Sequence, residues 1–181
     1  MKRHTLAPFA AVAFVLALGA CGPHQSSTSS AAPGSTQASG GAGGGAFCAV
    51  AQKIVTDQDA VAAATRAIIS NTVSGPDMGT AAGWANRQTL AQGAIDATNA
   101  LLDQYHAAVP LVTDPTASGS VIQMAQFYED SVLKPNQKIL NFSDQATYIN
   151  SGDDGSLTAA PTAAQVAVQT YITAQCGYLR P

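Results

Sequence analysis

The side chains able to do chemistry are few in this sequence and widely spaced. Tyr105-His106 is the densest pairing, because a histidine or tyrosine over an apolar gap between helices can ligate haem iron. These two residues are therefore the ligand-binding candidates. The same pair has a structural use, with the tyrosine packed inward and the histidine near a helix C-terminus, where a cation is favoured. A histidine-built metal site needs clustered ligands, and His24 and His106 lie far apart. Asp153-Asp154-Gly155 offers carboxylates to calcium without the twelve-residue ligand spacing, so it reads as a solvated turn. Glu129 and Asp130 are adjacent, and neighbours on a helix point about 100° apart, so they do not face each other as an acid and base. No Gly-x-Ser-x-Gly elbow occurs, and no cysteine is placed to act with His106. Gly40 to Gly45 is glycine-rich, but no strand precedes it and no Gly-Lys-Ser/Thr follows, so a phosphate loop is excluded. No catalytic residue, metal ligand or cofactor is assigned. Trp84, Tyr128, Tyr148, Tyr171 and Tyr178 could line a pocket or simply fill the core.

Leu18-Gly19-Ala20-Cys21 closes a stretch that starts with Lys2 and Arg3 and continues as an apolar run from Leu6 to Leu18, interrupted by Pro8. A basic start, an apolar segment too short to span a bilayer, and small residues before the cut are the parts of a secretory signal. The arrangement resembles the lipobox of bacterial lipoproteins. In that family diacylglycerol is attached to the cysteine sulfur, and a dedicated peptidase then cuts in front of it. The resemblance implies a signal peptide over residues 1–20, cleavage between Ala20 and Cys21, and lipidation of Cys21. Gly19 precedes Ala20, the reverse of the family's usual order, and both are small. Each buried methylene contributes about 0.8 kcal/mol, so two acyl chains hold stably where one is marginal. The implied address is the extracytoplasmic face of the cell membrane, reached through the lipid anchor. Low charge, abundant Ala and Thr, and Asp in place of Glu everywhere except Glu129 resemble actinobacterial envelope proteins.

With Cys21 assigned to lipid by that resemblance, Cys48 and Cys176 remain as an even pair on the oxidising side of a membrane. They are expected to form a disulfide. The bond would tie the first helix of the folded region to its last, and closing so long a loop restricts the unfolded chain by about 4 to 5 kcal/mol. A two-thiol metal site or a reactive thiol would want histidine partners or a Cys-x-x-Cys spacing, and neither is present.

Gly22 to Ala46 is uncharged and built of Ser, Thr, Gly, Ala, Gln and Pro with His24, a composition that cannot bury enough apolar surface to fold. Residues 21–46 thus read as the lipidated cysteine and a flexible tether, with an r.m.s. span of about 25 to 30 Å. Its hydroxyls could carry O-linked sugars. Residues 47–181 are expected to form one helical domain. Once Lys2 and Arg3 leave with the signal, six scattered basic residues face eleven acidic ones, a formal charge of minus five. Nucleic-acid binding needs clustered Lys and Arg, so that class is excluded, and a polybasic lipid-surface patch with it.

The elements that must position these residues are helices. Phe47, Ala51, Ile54, Val61, Thr65 and Ile68 recur at helical spacing up to about Ser70, with Val73-Ser74-Gly75-Pro76-Asp77 as the following turn. A second helix over Thr80 to His106 carries Trp84, Ala91, Ile95, Thr98, Leu102 and Tyr105 on one face, while Gly83 and Gly93 would let a neighbour approach closely. Asp114-Pro115 signals the start of a third, with Val121, Ile122, Ala125, Tyr128 and Val132 inward and a kinked continuation past Pro135 to about Asn141. Ser143-Asp144 caps a short helix through Ile149, and Ser151 to Ser156 is a loop. The last helix starts at Thr158 or Pro161 and ends at Cys176, with Gly177 as its cap and Ala163, Val166, Thr170, Thr173 and Cys176 on one stripe. Short connections without strand alternation predict an all-α, antiparallel four-helix bundle stapled at one pole by the disulfide. The functional expectation is a non-catalytic envelope binding protein engaging another envelope protein or a wall component. The alternative is a small-molecule module with haem or lipid between the helices.

Overall fold

Six α-helices account for nearly all of the described chain in a computed structural model that describes residues 42–74, 77, 79–151, 160–177 and 179. These are α1 (Ala42–Ser74), α2 (Ala81–Ala108), α3 (Pro115–Tyr128), α4 (Lys134–Leu140), α5 (Gln145–Asn150) and α6 (Thr162–Cys176). No strand occurs among the described residues, and Cys48 is disulfide-bonded to Cys176 with their Cα atoms 5.4 Å apart. The all-helical class and the pairing of these cysteines are as the sequence led us to expect.

α1 is longer at both ends than its apolar pattern. It begins at Ala42 rather than Phe47 and runs to Ser74 rather than Ser70. Gly43, Gly44 and Gly45 are poor helix formers. The turn pinned at Cys48 nonetheless supplies a nucleus, onto which each preceding residue adds one hydrogen bond. Phe47, Ala51, Ile54, Val61 and Ile68 are buried, so the inward stripe is the one the periodicity indicates.

The starts of α2, α3 and α5 follow local chemistry. Thr80 caps α2 by accepting from the Gly83 N–H at 3.1 Å, Asp114 caps α3 by accepting from Ala117 at 2.7 Å, and Asp144 caps α5 by accepting from Thr147 at 2.8 Å. Pro110 lies in a single 3-10 turn, Val109–Leu111, that closes α2. Gly177 ends α6 at φ 74°, in the left-handed region that glycine enters without steric penalty.

Pro135 neither ends the third rod nor sits at a simple kink. α3 widens into a π-helical turn, Glu129–Leu133, and resumes as α4. The Lys134 N–H reaches back to Glu129, five residues away. A wider turn relieves the clash between the proline ring and the carbonyl four residues earlier. The Asn136 side chain then donates to the Val132 carbonyl at 2.7 Å.

Two inward assignments change. Ile122 is 43% exposed, because Val121, Met124, Ala125 and Tyr128 form the buried face of α3 and Ile122 lies one residue off it. On α6 the buried residues are Ala164, Val168 and Ile172, while Ala163, Val166, Thr170 and Thr173 face solvent. Steps of four lead from Ala164 to Cys176 as well as the mixed steps do, and they collect the bulkier branched side chains. Gly93 is exposed with open space where a Cβ would sit, so it admits no close neighbour.

Partner residues run in opposite order along α1 and α2 and along α2 and the α3–α4 rod. Gln58 meets Tyr105 and Ile68 meets Arg87 between α1 and α2. Tyr105 lies by Tyr128 and Trp84 by Phe142 between α2 and the α3–α4 rod. Thr113, just before α3, meets Tyr171 of α6. One large core joins α1, α2, α3 and α6; a smaller one gathers Trp84, Ala91 and Ile139 with Leu140, Phe142 and Tyr148.

Candidate functional site

The polar centre of the large core is Tyr105. Its inward position follows from the α2 stripe of Ile95, Thr98, Leu102 and Tyr105, and it is the largest wholly buried side chain. Gln58 of α1 donates from Nε2 to the Tyr105 hydroxyl at 2.7 Å, and the ring of Tyr128 stacks on that of Tyr105 with centroids 5.9 Å apart. Burial drives both phenols toward the neutral form. Tyr128 is pushed up to about 12, and Tyr105 is raised further by burial and by Tyr128 beside it, with the Gln58 hydrogen bond partly opposing both shifts. A cavity of about 30 Å³ adjoins this network, lined by Gln58, Tyr105, Met124 and the α6 residues Gln165, Val168, Gln169 and Ile172. Ligand pockets of drug size measure roughly 300 to 1,000 Å³, so haem does not fit here as the helices stand.

Tyr105 and His106 are therefore separated by environment. The tyrosine is wholly buried, and His106 points to solvent in the last turn of α2. The partner of Tyr105 is Gln58, which sequence reasoning passed over. Its signal was available: Gln58 stands four residues after Ile54 and three before Val61, a polar residue on an apolar stripe.

Glu129 and Asp130 converge on Lys134, with Nζ to oxygen distances of 3.2 and 2.7 Å, at the solvent face of the π-turn. Their hydrogen bonds, Asp130 first, raise the lysine pKa. Among the described residues no three His, Cys, Asp or Glu side chains could together hold a metal ion. Ala20, Cys21, His24, Asp153-Asp154-Gly155 and Tyr178 lie outside the described residues.

At the other end of α1, the Phe142 carbonyl accepts from Trp84 Nε1 at 3.0 Å and from Gln88 Nε2 at 2.9 Å. Phe142 lies just past the C-cap of α4, Asn141, where no following helical turn supplies a donor to its carbonyl. Arg87 donates to the Ile68 carbonyl and to Thr72 Oγ1, both at 3.3 Å, so a cation serves the last turns of α1. Burial lowers its pKa, partly offset by Tyr148. Trp84 and Tyr148 pack with ring centroids 5.7 Å apart. These groups hold helices together and leave no group poised over an open cleft.

The exposed large apolar side chains are Ile69, Ile122, Ile149 and Val166, one each on α1, α3, α5 and α6. α6 carries no charged residue anywhere along its length. No helix among the described residues is long and apolar enough to cross a membrane. Comparison with protein-family models, with curated proteins and with solved structures finds no match for this chain.

Proposed function

We propose that this chain is a lipoprotein anchored through Cys21 at the extracytoplasmic face of the cell membrane. Its helical domain is a non-catalytic binding module for another envelope protein or a wall component. The observation that carries the reading is the Cys48–Cys176 bond. Disulfides persist in oxidising compartments, which supports export. The pairing also leaves the lipobox cysteine as the remaining thiol of three, free for a thioether to diacylglycerol. In this reading α1, α2, the α3–α4 rod and α6 are the four members of an antiparallel bundle, and a tether shortened to residues 21–41 by the early start of α1 holds it near the bilayer. The separation of buried Tyr105 from solvent-facing His106, and of both from the Glu129–Asp130 pair on Lys134, supports binding over catalysis.

Fractionation of cells producing the wild-type chain and a Cys21→Ser variant tests the anchor. The wild type is expected in the particulate fraction, with the mass of a diacylglyceryl group on Cys21, and the variant in the soluble fraction. A variant held as firmly as wild type overturns the anchor. Crosslinking in native membranes tests the binding role. It should recover adducts with protein or wall material, and recovery of monomer alone overturns that role.

A further inference from the structure

We propose that the cavity beside Tyr105 is a binding site for a single water molecule that completes the hydrogen bonding of the Tyr105 hydroxyl and links α6 to α1 and α2. A phenolic hydroxyl can donate one hydrogen bond and accept another. Gln58 takes one of these, whichever way its carboxamide faces, at 2.7 Å. Among the described residues the hydroxyl makes no other protein hydrogen bond. Tyr105 is wholly buried, so the unused hydrogen-bonding capacity of its hydroxyl is withdrawn from bulk water.

The cavity is the right size for that second partner. Its volume is about 30 Å³, and a water needs at least about 10 to 15 Å³ on this measure together with two to four polar partners. Gln58 and Tyr105 supply them from α1 and α2, and Gln165 and Gln169, one turn apart on α6 and themselves exposed, form the polar rim that separates the cavity from solvent. Met124 and Ile172 close the apolar side. An apolar cavity of this size would stay dry, whereas this one has polar groups from three helices around it. α6 has no charged residue with which to make ion pairs, so the bridge gives it a polar tie to the α1–α2 pair.

The test is water-to-protein magnetisation transfer by NMR on the full disulfide-bonded chain, read at the Met124 methyl and the Gln58 side-chain amide. The wild type is expected to show cross-peaks from a long-lived water at both groups. Tyr105→Phe is expected to lose them while keeping its dispersed, folded spectrum. Absence from the folded wild type, or survival in Tyr105→Phe, overturns the proposal. A crystal structure of the wild type needs no variant to fold. One ordered oxygen within hydrogen-bond distance of Tyr105 Oη is expected, and a closed void or a protein acceptor in its place overturns the proposal.

Discussion

The two ends of α1 are held by different physics. At the Cys48 end a covalent bond to α6 is backed by the Phe47–Tyr171 edge contact, at 5.1 Å between centroids, and by the core that reaches Tyr105 and Tyr128. At the Ser74 end the smaller core has three buried side chains, Trp84, Ala91 and Ile139, with Leu140, Phe142 and Tyr148 packed half-buried against them. There the helices are joined by hydrogen bonds onto the carbonyls of Ile68 and Phe142. Regions with few buried apolar contacts open first, so local unfolding starts at the Trp84 end and the disulfide end retains structure longest. A chain with little charge thus concentrates its strongest constraint where its first and last helices meet.

Removing the covalent tie is the hardest blow to that contrast. Cys48→Ser with Cys176→Ser is expected to cost about 4 to 5 kcal/mol in urea unfolding. Hydrogen exchange should quicken first in α6, with Trp84 fluorescence following later. Simultaneous loss of both signals would show that the ends unfold as one unit. Trp84→Ala removes the centre of the smaller core and is expected to cost about 3 to 5 kcal/mol. Its exchange should rise in α4 and α5 and leave α6 protected.

Alkali acts on the large core. Tyr128 titrates near 10 when unfolded and at about 12 when folded, so the unfolded chain loses its proton first as pH rises. The contribution is complete below pH 10 and falls by about 3 kcal/mol as pH climbs to 12, with Tyr105 adding in the same direction. The tyrosinate absorbance of Tyr105 and Tyr128, read as the difference from a Tyr105→Phe, Tyr128→Phe variant, should therefore appear together with the loss of helical circular dichroism, not before it. Gly93→Ala acts on α2 between the two ends. With open space at the new methyl it is expected to stabilise by about 0.5 to 1 kcal/mol in urea unfolding.

The smallest effect belongs to Asp144. Its backbone hydrogen bond from Thr147, joined by the Ser143 and Thr147 hydroxyls, holds its carboxyl below the usual carboxylate range. The cap is therefore present above that range and is lost as pH falls through the lowered folded value. Acid should raise hydrogen exchange in α5 alone, and Asp144→Ala should remove that pH dependence.

The starts of α3 and α5 were legible because their signals are local. Asp114 and Asp144 each precede a helix, and each cap spans three residues. The stripes of α1 and α2 were legible too, since branched and aromatic residues recur there at helical spacing. α6 was not. Its alanines, threonines and valines are spread around the helix, and only contact with α3 and α1 selects Ala164, Val168 and Ile172. The Tyr105 network was half legible. The tyrosine stood out, but its partner lies 47 residues away and the α6 lining of the adjoining cavity farther still.

By itself the sequence determined helical class and the caps at Asp114, Asp144 and Gly177, and it singled out Cys48 with Cys176, because these depend on neighbours a few residues away or on there being two cysteines in the expected helical region. Tertiary structure alone decided the inward face of α6, the widened turn before Pro135, the Gln58–Tyr105 bond and the shared acceptor at Phe142. Each of these is a choice among near-equal local options, and packing against a distant helix separates them.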